Sequence, residues 1–143
     1  MSKSVNSKSP KVAVIPAAGK GTRFLPSTKS TPKELHPLLN KPLIHCCLEE
    51  LKAAGVEEAI IVTHPDKVTL EKYFSDHSVL ETTLLEDNKK SLALKLAEIN
   101  DLPKVTFVNQ YEQLGLAHAV LCAKEKIAGR DFFLLLPDEI FIS

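Results

Sequence analysis

With 143 residues, 44% of them hydrophobic and 25% charged, the chain has a soluble globular composition and enough length for one domain with a real core, not two. Lysine plus arginine and aspartate plus glutamate each number 18, which excludes a net basic field for nucleic acid and an acidic tail, so any phosphate affinity has to be local. The cysteines are an odd set, the neighbours Cys46 and Cys47 and the distant Cys122, which suits reduced thiols in a cytoplasmic protein and not a disulfide framework.

Residues 1–10 are rich in Ser, Lys and Asn without an apolar core, so they read as a flexible leader and not as a signal peptide or membrane anchor. Val12 to Ile15 is a short apolar, β-branched run of the kind that makes a buried strand. A loop follows, bearing Gly19, Gly21, Arg23, Lys29 and Lys33. Lys41-Pro42-Leu43 opens a helix, with Leu43, Cys47, Leu48 and Leu51 at helical spacing until Gly55. Ala59 to Thr63 predicts a second strand and Val68 to Phe74 a short helix behind it. Residues 80–99 read as helix with a break near Asp87-Asn88. Val105 to Val108 is a third strand, 116–127 a further helix, and Phe132 to Leu136 a fourth strand. Strands separated by helices of crossover length imply an α/β, three-layer, Rossmann-like domain with a mainly parallel sheet, cut off after about four strands. The sequence contains no internal repeat and no low-complexity segment.

A parallel sheet delivers its C-terminal strand ends to one edge, where open α/β sheets bind ligands. Ile15 leads into the glycine loop, Val108 into Asn109-Gln110, and Leu136 into Pro137-Asp138. Two glycines let backbone amides approach a ligand, and three cations on the same loop ask for a polyphosphate. It is not a P-loop, because Lys20 is followed by Gly21 and not by Ser or Thr. Nor is it the dinucleotide fingerprint, whose third glycine would stand where Phe24 does. Gln110 carries the donor and acceptor needed to read a pyrimidine edge, and Gly115 allows close backbone approach; the plainer alternative is a strand-end amide bonded to its own loop. Asp138 is placed to hold Mg²⁺ together with substrate phosphates, or to cap the next turn. His45, Cys46 and Cys47 are consecutive helical residues that diverge and cannot chelate one ion, so they read as helix and core.

The ordered string Pro16-Ala17-Ala18-Gly19-Lys20-Gly21-Thr22-Arg23, continuing through Phe24-Leu25-Pro26 and Thr28-Lys29 to Pro32-Lys33-Glu34, resembles the signature of the sugar-phosphate nucleotidyltransferases, the pyrophosphorylases that make nucleotide sugars. It is most similar to the bacterial members that use UTP and glucose 1-phosphate. Gln110, Gly115 and Leu116-Ala117-His118-Ala119 stand at matching positions, with Ala117 in place of a glycine. The resemblance implies that Ala18, Gly19, Gly21 and Thr22 hold base and ribose, with Gln110 and Gly115 against the base. It further implies Arg23 and Lys33 on the phosphates, and Asp138 as the first ligand of a Mg²⁺ cofactor. Glu34 lies in the string without a physical role. The resemblance covers the nucleotide-binding half, residues 11–143, with the sugar-binding part expected beyond Ser143. The implied partners are UTP and glucose 1-phosphate, with no nucleic acid or membrane; the cut sheet edge separately predicts a homo-oligomer or self-association. Two other functions remain open: a stand-alone nucleotide-binding or interaction module without turnover, and a thymidylyl or other nucleotidyl transferase.

Overall fold

The computed structural model describes residues 9–137. Most of the leader, residues 1–8, and Asp138 with the rest of the C-terminus lie outside the described residues. Four parallel strands form the sheet: β1 (Val12–Pro16), β4 (Glu58–Thr63), β5 (Lys104–Asn109) and β6 (Phe132–Leu134), in the order β5-β4-β1-β6. A two-stranded hairpin, β2 (Pro37–Leu38) with β3 (Lys41–Pro42), sits beside it. The helices are α1 (Leu43–Ala53), α2 (Val68–Tyr73), α3 (Ser78–Glu86), α4 (Lys90–Ala97), α5 (Leu116–Cys122) and α6 (Lys124–Ile127).

The two central strands are continuous apolar runs because both faces of the sheet are covered. Val12 to Ile15 and Ala59 to Val62 are all at 1% exposure or less. Alternation along each strand divides the core in two. Ala13, Ile15, Ala59 and Ile61 pack on Ile44, Leu48 and Leu51 of α1 and Leu70 of α2. Val12, Val14, Ile60 and Val62 pack on Ala119 of α5, Ala123, and Ile127 of α6. Helices therefore cover both faces, which is the three-layer, mainly parallel architecture that the strand and helix pattern predicts. Full burial of each large aliphatic side chain contributes roughly 1.5–3 kcal/mol, so these two clusters dominate the stability.

Several local expectations shift. The inward stripe of α1 takes Ile44 and not Leu43, which is only half-buried. The break in the 80–99 region falls at Asn88, whose φ of 58° is left-handed and tolerable for asparagine. The predicted 116–127 helix divides at Ala123 into α5 and α6. The fourth strand ends at Leu134, although the Leu135 amide still donates to the Val14 carbonyl at 3.0 Å. The small hairpin has no alternating run long enough to announce it, only two residues on each side.

His45 and Cys47 are buried in α1. His45 Nδ1 lies 2.7 Å from the Tyr73 hydroxyl and its Nε2 3.0 Å from Glu49, while burial holds its imidazole below the ordinary histidine range. Burial also pushes the Cys47 thiol up to about 12, the behaviour of a packed thiol and not of a reactive one. No helix among the described residues is long and apolar enough to cross a membrane.

Candidate functional site

At the C-terminal ends of β1 and β4 lies a cleft of about 770 Å³, within the range of small-molecule sites, roughly 300–1,000 Å³. The chain after β1 is held at its start, where the Ala17 amide donates to the Val62 carbonyl at 2.7 Å, and then departs through Ala18 and Gly19. Three short 3₁₀ turns follow, Thr22–Phe24, Ser27–Lys29 and Lys33–Leu35, and fold the loop back on itself. The Thr28 hydroxyl donates to the Gly21 carbonyl at 2.6 Å and closes that fold.

The two loop glycines serve different ends. Gly21 has φ +63°, and a Cβ there would meet Thr28 Cγ2 at 2.9 Å, so the closed loop itself demands glycine. Gly19 needs no left-handed φ, and a Cβ on it would meet no protein atom within 4 Å; it lines the cleft, where a bare backbone admits a ligand. Gly21→Ala is therefore expected to cost about 1–2 kcal/mol from the left-handed backbone alone, with loop displacement added. Gly19→Ala should leave stability nearly unchanged. Chemical denaturation of both variants checks the contrast.

Of the sequence-predicted residues, Ala18, Gly19 and Lys33 line the cleft. Gly21, Thr22 and Arg23 lie in the adjoining turn and do not line it; Arg23 is exposed. Gln110 is 4% exposed at the end of β5, where its Nε2 donates to the Gly115 carbonyl at 3.4 Å and meets His118 Nδ1 at 3.0 Å. Both amide hydrogens are thus engaged within its own segment, the loop-bonding arrangement that the sequence left open, and neither Gln110 nor Gly115 is among the residues that line the cleft. Gly115, with φ +98°, makes the turn into α5 that only glycine enters without strain. Asp138 lies outside the described residues.

The structure adds residues that the motif did not contain. Lys67, in the turn after β4, donates through Nζ to the Ala17 carbonyl and forms an ion pair with Glu34, 3.0 Å to Oε2 and 3.3 Å to Oε1. Glu34 is fully buried, and the Lys67 side chain is 13% exposed where it borders the cleft. Burial holds the Lys67 ammonium below the ordinary lysine range, Glu34 works against that shift, and Lys33 adds to it. Gln113 Nε2 donates to the Ala18 carbonyl at 2.9 Å, tying the loop after β5 to the loop after β1, and the exposed Tyr111 offers an aromatic face to the same cleft. Applying the strand-end rule to β4 as well as to the other strands would have found Lys67, because Thr63 leads directly into His64-Pro65-Asp66-Lys67.

Lys20, Lys29 and Lys33 line the cleft and form no ion pair among the described residues. They share the cleft with the carboxylates of Asp66 and Glu112, and a glycine-bearing strand end rimmed by lysines, on a parallel sheet covered on both faces, defines the class as an α/β protein with a strand-end cleft of the kind that takes ligands. The particular kind follows from its relatives: the chain belongs to the nucleotidyl transferase family, whose sequence profile matches residues 12–143. It is 44% identical over 131 residues to the UTP–glucose-1-phosphate uridylyltransferase YngB of Bacillus subtilis, covering 92% of this chain and 44% of that protein. It is 45% identical over 130 residues to the corresponding enzyme of Staphylococcus haemolyticus, with 91% and 45% coverage. A UTP-bound UGPase from Acinetobacter baumannii superimposes with a TM-score of 0.85 at 44% identity, over 91% of this chain and 46% of that one. A UDP-glucose pyrophosphorylase complexed with UDP-glucose gives 0.75 at 37% identity, with 94% and 48% coverage. The chain thus spans about half the length of the relatives it matches.

Proposed function

We propose that residues 11–143 are the nucleotide-binding part of a cytoplasmic uridylyltransferase that transfers UMP from UTP to glucose 1-phosphate, giving UDP-glucose and pyrophosphate. The observation that carries this reading is the lysine-rimmed cleft at the ends of β1 and β4, lined by Gly19 and Lys33 of the signature string. The likeness to a UTP-bound UGPase at 44% identity supports uracil as the base.

In the proposed reaction a phosphate oxygen of glucose 1-phosphate attacks the α-phosphorus of UTP in line, and the bond to the β-phosphate oxygen breaks with pyrophosphate as the leaving group. Little covalent work falls to the protein, which positions the anions and offsets their charge. The Lys33 ammonium faces the α-phosphate or pyrophosphate. The Arg23 fork, on the exposed turn adjoining the cleft, grips the leaving phosphates. Ala18, Gly19, Gly21 and Thr22 seat base and ribose, and Gln110 Oε1 beside Gly115 accepts from the uracil N3–H.

Mg²⁺ takes one or two carboxylates plus phosphate oxygens and water. Among the described residues no group of three or more His, Cys, Asp or Glu could hold a metal by itself. Asp138 would be its protein ligand. The ion's contribution when bound is to neutralise charge on the phosphates.

Calorimetry with UTP, ATP and GTP in the presence of Mg²⁺ tests the assignment. Preferential UTP binding is expected, and equal weak binding of all three removes the uracil reading. Substitutions should separate by role: Arg23→Ala should lose about 1.5–3 kcal/mol of triphosphate affinity, whereas Gln110→Ala should chiefly relax base choice. An Arg23→Ala protein that is folded and binds UTP as tightly as the wild type would remove Arg23 from the phosphate site.

A further inference from the structure

Glu34 is a member of the signature string left without a role by the sequence, and it is also a fully buried carboxylate. It reaches its partner from the Lys33–Leu35 turn, which is closed by the Leu35 amide donating to the Pro32 carbonyl at 3.0 Å. Lys67 comes from a different segment, the turn after β4, closed by its own amide donating to the His64 carbonyl at 2.9 Å. The third party is the Ala17 carbonyl, just past the end of β1. One ammonium therefore ties the Lys33–Leu35 turn, which belongs to no strand ladder, to the paired ends of β1 and β4.

Each pinned residue is the immediate neighbour of a cleft residue. Ala17 precedes Ala18 and Gly19, Glu34 follows Lys33, and Lys67 itself lines the cleft. Displacing the ammonium would move the backbone that carries all of them. We propose that Glu34 and Lys67 are positioning residues for the nucleotide cleft, a neutralised pair that sets the separation between the loop after β1 and the turn carrying Lys33. Its ligand, a nucleoside triphosphate, rests on the function proposed above.

The pair does two things that an apolar pair or a lone lysine would not. An apolar pair of similar volume would leave the Ala17 carbonyl without its donor, since a buried backbone acceptor needs one. Glu34 also neutralises Lys67, which leaves Lys20, Lys29 and Lys33 as the unpaired cations of the cleft among the described residues.

The test uses the double variant Glu34→Gln/Lys67→Met. Replacing a buried ion pair by neutral groups of similar volume is often tolerated, so the variant is expected to fold. Two quantities are read. Amide hydrogen exchange of residues 17–21 and 33–35 should accelerate about tenfold or more while β1 and β4 stay protected. UTP affinity, measured by calorimetry, should fall about tenfold or more without a matching loss of melting temperature. Unchanged loop exchange in the folded variant overturns the proposal, whatever happens to affinity. If the wild-type chain itself fails to bind UTP, the nucleotide reading falls and the exchange measurement still decides the positioning role. Should the double variant not fold, Glu34→Asp supplies the decision: it keeps the charge but withdraws it by one methylene, so faster loop exchange supports the proposal and wild-type exchange overturns it.

Discussion

A folded polypeptide of these 143 residues, given UTP, Mg²⁺ and glucose 1-phosphate, is expected to bind the nucleotide and to release no appreciable pyrophosphate. In-line transfer requires both reactants at near-attack geometry, and that alignment accounts for roughly 7–11 kcal/mol of barrier reduction. The cleft at the ends of β1 and β4 supplies cations for one polyphosphate. The uridylyltransferases that match here are about twice as long, with this chain covering 44% of YngB. The second reactant's site is expected in the half that these residues do not span. Binding can survive where alignment does not, because the triphosphate brings most of the ligands of its own Mg²⁺. β6 also presents Phe133 and Leu134 to solvent on a sheet edge, at 36% and 43% exposure, so self-association of the isolated polypeptide is expected by light scattering. A coupled assay for pyrophosphate decides the main point. Robust turnover by the intact, purified polypeptide would show that this half carries a complete active site.

Glu34→Ala is expected to be the most damaging single substitution beside the cleft, costing about 3–5 kcal/mol, because it leaves a largely buried ammonium without its counter-charge. The pH dependence gives this prediction a signature that simple cavity formation lacks. Burial lowers the Lys67 pKa from its ordinary value of 10.5, and Glu34 is the group that opposes the shift, so removing it lowers the folded-state value further. Between that lowered value and 10.5 the unfolded chain binds more protons than the native one, and stability therefore rises with pH. The deficit of the variant relative to wild type should be greatest near neutral pH and should shrink as pH climbs toward the ordinary lysine range. Urea denaturation of both proteins from pH 7 upward measures it. A deficit that does not change with pH would mean that the cost is packing and not charge.

Much of the architecture was legible in the letters because it depends on burial, which depends on composition and period. Val12 to Ile15 and Ala59 to Val62 are apolar at every position, and only a sheet covered on both faces leaves no polar side to such a strand. The same holds for the break at Asn88, a residue suited to a left-handed φ, and for the turn at Gly21, whose φ of 63° is also left-handed. What the letters could not carry is which side chains meet. Glu34 and Lys67 are 33 positions apart, and each alone reads as an ordinary surface charge. Their pairing depends on three segments converging at the end of β1, a consequence of the β1-β4 register and of the turns closed at Pro32 and His64. Gln110 is similar: its place at a strand end follows from sequence, but its amide hydrogens are directed to Gly115 and His118 by the turn into α5. Periodicity specifies a face and a layer, whereas the partner of a buried charge is chosen by long-range packing, which local sequence does not encode.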